Sequence, residues 1–320
     1  MSLTSAQPGR PTAESAPKVR IGLGSIPLGA DGIGSPGSEL AELVDACEAR
    51  GVDSIWLADH ASGPGIDPLV GLAFAAGRTQ KLKLGTGVLV LPGRNPMLVA
   101  AQLASLVALA PRRILPTFGV RPATQHERAL FPVPDGERAA VFDESLQVVR
   151  RLLAEPRVTH HGRFFHLDDA SVGPLPPRPL DLWLGGKAPA GLRRVGRLAD
   201  GWLGSFITPD EAAACRSGIE AAAAEAGRQI EDDHYGTNIA VIPEETDDAT
   251  RDAAFAALGR RRPDLDARLL VADGWDAARE QVRQFVEVGL SKFVLRPAVP
   301  VPSWQGFLDR FGQELLPLQT

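Results

Sequence analysis

The chain has 320 residues, 44% of them hydrophobic, and a formal net charge of −5. That length fills a large core and suits an α/β barrel running as one domain, while the acidic balance and the absence of a dense Lys/Arg block argue against nucleic acid as a partner. The short clusters Arg112-Arg113, Arg193-Arg194 and Arg260 to Arg262 read as solvated helix faces. No apolar run reaches the length of a membrane span. Cys47 and Cys215 each sit inside a helical pattern and read as reduced, buried thiols.

Residues 1–17 are rich in Ser, Ala and Pro without an apolar centre, and read as a disordered leader before one domain over 18–320. The expected compartment is the cytoplasm. Val19 to Ile26 reads as a strand. Ser38 to Arg50 reads as a helix capped by Ser38 and stopped by Gly51. The stretch GVDSIWLADH follows: an apolar strand, Ile55 to Ala58, ending abruptly in Asp59-His60. A strand buried on both faces reads as a continuous apolar run. Asp67 to Thr79 is helical, Lys83 to Leu91 a third strand, and Asn95 starts the helix Pro96 to Ala110. The fourth strand, Ile114 to Val120, contains Pro116, which removes a ladder donor.

After the helix Glu137 to Glu155, Val158 to Leu167 reads as a hairpin turning near His161-Gly162. Strands follow at Leu180 to Gly186, Gly201 to Ile207, Tyr235 to Ile242 and Ser291 to Arg296, separated by helices over 189–199, 209–228, 246–260 and 275–288. Trp304 to Leu316 closes the chain as a helix capped by Ser303, with Trp304, Phe307 and Phe311 on its core face. Eight strands alternating with helices predict parallel neighbours and a closed (β/α)8 TIM barrel with a small hairpin insertion after the fourth helix. An open doubly wound sheet is the alternative, but Gly22-Leu23-Gly24 lacks the third glycine of a dinucleotide fingerprint.

In a barrel the C-terminal strand ends share one face, which here collects Ser25, Asp59-His60, Thr86 to Leu91, Gly119 to Arg121, Gly185 to Lys187, Ser205 and Arg296. A histidine there can give or take a proton near neutral pH. Asp59 can orient it, accept a hydrogen bond from a ligand, or merely cap the next turn. Gly85 and Gly87 around Thr86 mark a bulge, the flat approach of a ligand, or a packing accommodation. Gly185-Gly186-Lys187-Ala188 runs straight into a helix, so exposed N–H groups and the helix dipole make an anion site. His160, His161 and His166 match no common zinc spacing and read as solvated or stacking rings.

Taken together, GVDSIWLADH, LKLGTGVLVLPGRNPMLVAAQLASL, LDLWLGG, GLRRVGRLADGW and KFVLR resemble the luciferase-like (β/α)8 flavin and deazaflavin oxidoreductases, in order and spacing, over about residues 19–300. The resemblance is closest to the branch that uses coenzyme F-420. It implies His60 as the active-site histidine and Asp59 as a deazaflavin ligand. It implies a bulge at Gly87-Val88, with a non-prolyl cis peptide, that backs the tricyclic ring. It implies a phosphate turn at Gly186, Lys187 and Ala188, with Ser205 on the strand beyond. Ser25, Thr86, Gly119 and Gly185 complete the expected cofactor site. A homodimer is implied by the family alone.

The fourth strand departs from the family. Many members carry Gly-Gly-Arg and then a glycine-rich run; here it reads Ala110 to Pro122, with Arg121-Pro122 where some members place a catalytic glutamate. The nearest glutamate is Glu127. Arg121 reads equally as an anion contact and as a surface arginine.

The reaction expected is hydride transfer between reduced F-420 and a small organic substrate. An FMN-dependent monooxygenase fed by a separate reductase is the alternative, and a non-catalytic cofactor-binding protein is a third. Substrate choice falls to loops 27–37, 61–66, 121–136 and 261–275, and the small net charge leans away from a highly charged substrate.

Overall fold

The computed structural model describes residues 18–24, 35–60, 65–122 and 125–320, so the expected leader, Ser25 and part of three mouth loops lie outside the described residues. The first half runs β1 (Arg20–Gly24), α1 (Pro36–Arg50), β2 (Ser54–Leu57), α2 (Pro68–Arg78), β3 (Lys83–Thr86), β4 (Leu89–Val90), α3 (Pro96–Leu109), β5 (Ile114–Leu115), β6 (Thr117–Gly119) and α4 (Arg138–Ala154). A hairpin, β7 (Val158–His161) and β8 (His166–Ala170), comes next. The second half runs β9 (Trp183–Gly185), α5 (Pro189–Leu198), β10 (Gly201–Gly204), α6 (Pro209–Glu225), β11 (Tyr235–Ile242), α7 (Asp248–Arg261), β12 (Val271–Asp273), α8 (Trp275–Glu287), β13 (Lys292–Pro297) and α9 (Trp304–Leu315).

The helices start where side chains satisfy their orphan N–H groups. Asp67 accepts from the amides of Leu69 and Val70, and Asn95 from those of Met97 and Leu98. Thr208 and Glu211 form a capping box on α6. Ser303 caps α9 as expected. The cap of α1 is Ser35 and not Ser38: Pro36 takes the first helical position, and Ser38 donates its amide to the Ser35 hydroxyl at 3.2 Å.

All pairings in the main sheet are parallel, and they close a ring. β3 and β4 are two pieces of the third barrel strand, interrupted at Gly87-Val88; β5 and β6 are two pieces of the fourth, interrupted at Pro116. β3 pairs with β5, β4 with β6, and β6 with β9. The order then continues through β10, β11 and β13 back to β1, β2 and β3. This is the (β/α)8 barrel. β12, which the sequence pattern did not announce, adds a short parallel strand to β11.

Period-two alternation sorts the strand residues into two layers. Trp56, Trp183, Leu203 and Val294 pack together inside the ring with Leu115, while Ile21, Leu23, Ile55, Leu84 and Phe293 face the helices. Pro116 has no N–H to give, and Thr86 repairs the seam: its hydroxyl donates to the Thr117 carbonyl and accepts from the Thr117 amide, both at 2.9 Å. The hairpin follows α4 as expected, with its turn at 162–165, and is held by Glu144, whose carboxylate accepts from the amides of Arg163, Phe164 and Phe165. Cys47 and Cys215 are buried and unbridged.

Candidate active site at the barrel mouth

Asp59 and His60 leave the end of β2 at the C-terminal face. Asp59 is buried, and its side chain is 2% exposed. Its Oδ2 accepts from the Val90 amide at 3.0 Å and from the Arg94 guanidinium at 2.8 Å. Arg94 also donates to the Val90 carbonyl at 3.0 Å and lies over the Phe131 ring. Asp59 is thus fixed by Arg94, and no described side-chain hydrogen bond joins it to His60. His60 is exposed and borders a cavity of about 400 Å³ with Asp59, Arg94, Gly93, Leu130 and Phe131.

The bulge lies next to it. The Gly87-Val88 peptide is cis. The Leu57 carbonyl accepts from the Gly87 amide at 2.8 Å, and the Val88 carbonyl accepts from the Asp59 amide at 3.2 Å, so the bulge stays stitched to the end of β2. Val88 points into the barrel between two glycines: a Cβ on Gly119 would lie 2.5 Å from Val88 Cγ2, and one on Gly185 2.8 Å from Val88 Cγ1. Gly119 and Gly185 therefore make room for a side chain of the protein itself. Thr86 is buried, and its described bonds go to Thr117.

Across the mouth, Gly186 has φ +108°, and a Cβ there would meet nothing within 4 Å. Its carbonyl accepts from the Trp202 indole at 2.7 Å, which holds the turn from below. Ala188, the N-cap of α5, offers no side chain to the first-turn amides. The turn is thus an open cradle of N–H donors at a helix N-terminus, suited to a phosphate group. Lys187 stands beside it, its Nζ 3.6 Å from Glu211. Ser205 accepts at its hydroxyl from the Asn238 amide at 2.7 Å.

Arg121 is exposed, and its charge, with that of Arg128, acts on Arg138. Glu127 is buried, in the short turn His126–Leu130. On the hairpin, the rings of His161 and His166 stack at 6.1 Å and His160 meets Glu144 at 3.1 Å. Elsewhere, Glu231, Asp233 and His234 bring ligand atoms within 4.8 Å of one another, though Asp233 there pairs with Lys18 at 2.8 Å.

Comparison with known proteins bears on the family and the fold. The family model described as luciferase-like monooxygenase matches residues 16–292. An F-420-dependent glucose-6-phosphate dehydrogenase of Nakamurella multipartita is 28% identical over 313 residues, covering 88% of this chain and 92% of that protein. Its counterpart in Kineococcus radiotolerans is 25% identical over 317 residues, covering 89% and 93%. Among solved structures, an F-420-dependent secondary alcohol dehydrogenase bound to an F-420–acetone adduct superposes with a TM-score of 0.79 at 20% identity, covering 95% of this chain and 100% of that one. A monooxygenase from Streptomyces bottropensis gives 0.78 at 22% identity, covering 93% and 99%.

Proposed function

Because the chain belongs to the luciferase-like monooxygenase family, we propose that it is an oxidoreductase using coenzyme F-420 to move a hydride to or from a small organic substrate at this mouth. The observation that carries the reading is the joint presence, on one barrel face, of the Gly87-Val88 bulge and the uncapped Gly186 turn. The relatives named as F-420-dependent support the deazaflavin over FMN. When bound, the coenzyme supplies hydride chemistry at C5 of its ring. The amides of Gly186, Lys187 and Ala188 hold its phosphate. Gly87 and Val88 back its ring. His60, exposed on the cavity, would give or take the accompanying proton there.

The reading extends to a cytoplasmic homodimer. The family resemblance supports the dimer, and so does the surface of two adjacent helices: Val70 and Phe74, one turn apart on α2, and Leu98 on α3 are 64%, 41% and 63% exposed. Among the described residues no helix is long and apolar enough to cross a membrane.

Fluorescence titration of the purified apo protein with F-420 and with FMN tests the cofactor. A preference for F-420 of tenfold or more, about 1.4 kcal/mol, is expected. A preference for FMN would turn the reading toward an oxygen-using monooxygenase, and binding of neither would remove the Gly186 turn from the argument.

A further inference from the structure

Arg296 stands at the C-terminal end of β13, two residues beyond Val294 of the barrel's inner cluster, so period-two alternation puts it on the inner side. Its guanidinium carbon lies 5.9 Å from the Phe206 ring centroid, and that of Arg261, at the end of α7, lies 4.3 Å from the same centroid. Among the described residues neither arginine is paired with a carboxylate. The one described hydrogen bond of Arg296 goes to the Pro297 carbonyl at 3.4 Å. The nearby carboxylates are committed elsewhere: Arg262 takes Glu211 at 2.7 Å and Asp264 at 2.7 Å. Burial, and then the charge of Arg261, pulls Arg296 below the usual arginine range. Two guanidinium charges placed together, one of them half-buried, cost stability until an anion answers them.

The pair is next to the phosphate turn and distinct from it. Arg262 donates to the Phe206 carbonyl at 2.5 Å and binds Glu211, and Glu211 reaches Lys187. Glu211 thus lies between Lys187 of the turn and Arg262, the chain neighbour of Arg261.

We propose that Arg296, with Arg261 at the rim, binds a phosphate or carboxylate group of the organic substrate, which makes the substrate class an organic anion. Calling the occupant a substrate rests on the F-420 reading; the anion site does not.

Inorganic phosphate, titrated calorimetrically into the full-length protein saturated with F-420, is the probe, because the Gly186 turn is then filled. One site is expected in the wild type. Arg296→Gln and Arg261→Gln are each expected to weaken it at least tenfold, about 1.4 kcal/mol, with the F-420 Kd changed less than twofold. Arg261 is exposed, so its variant decides even if Arg296→Gln folds poorly. No phosphate site in the saturated wild type, or one unchanged in the variants, overturns the proposal. So does a tenfold loss of F-420 affinity in the variants, which would assign the arginines to the coenzyme's own anionic tail. If the wild type binds no F-420, the cofactor reading fails by itself. The same titration on apo protein then decides this site, by whether the Arg261 and Arg296 variants lose a phosphate.

Discussion

The Arg94 guanidinium meets the Asp59 carboxylate at 2.8 Å, one residue before the histidine that faces the cavity. The carboxylate is out of water and the arginine is not: their side chains are 2% and 23% exposed. Removing one member of such a pair leaves the other uncompensated, at 3–5 kcal/mol for a fully buried pair. Solvent reaches Arg94, so Arg94→Met is expected to cost about 2–3 kcal/mol in urea denaturation. An unchanged midpoint and slope would show that the pair contributes nothing net.

His60 carries the proton in the proposed reaction. A positioned general acid or base contributes about 10²–10⁴-fold. His60→Ala is therefore expected to lower kcat about a hundredfold with reduced F-420, with coenzyme affinity mostly intact. Full turnover in the variant would remove His60 from the chemistry.

The family resemblance places Thr86 against the cofactor, while the structure gives its hydroxyl to Thr117. The two roles predict different losses. Thr86→Val would leave a buried amide and carbonyl of Thr117 unsatisfied and is expected to cost about 1–3 kcal/mol of stability, with unchanged F-420 affinity in the folded protein; Thr86→Ser should restore stability. Loss of F-420 affinity at constant stability would return Thr86 to the ligand site.

At the opposite end of the barrel, Asp53 lies between Lys83 at 2.7 Å and Lys292 at 3.1 Å. Burial opposes its ionisation, but the charges of Lys292 and Lys83 prevail and hold its carboxyl below the usual range. A depressed folded pKa gives stability that is present above the unfolded value, about 3.9, and is lost as pH falls through the folded one. Urea midpoints measured downward from pH 5 are expected to fall, and Asp53→Asn to flatten that fall. An equally steep acid limb in the variant would place the proton uptake at other carboxylates.

The apolar surface of α2 gives the dimer its test. Phe74→Glu is expected to convert a dimer to a monomer in sedimentation, with the far-UV spectrum retained. A monomeric wild type, or a variant that stays dimeric, would remove that surface from the reading.

Local chemistry was readable from the chain, and long-range pairing was not. Asn95, Asp67 and Ser303 announce their helices because a cap acts within three residues. Pro116 announced trouble in the fourth strand, but nothing in its neighbourhood told that Thr86, 31 residues before Thr117, would bridge the break. Arg94 falls inside a quoted motif, yet its partner Asp59 is 35 residues away and only the closed barrel brings them together. Gly119 and Gly185 were expected in the cofactor site, but nothing local told that the Val88 side chain would lie against both. β12 is three residues long, too short to leave a period.

Val88 and those two glycines divide one volume among the third, fourth and fifth barrel strands. A methyl added at 119 or 185 has nowhere to go unless one is removed at 88. The three positions are then not independent: Gly185→Ala and Val88→Ala should each destabilise alone and partly cancel together, a coupling that distant sites do not show. Variation in this part of the barrel wall is permitted only in compensating steps.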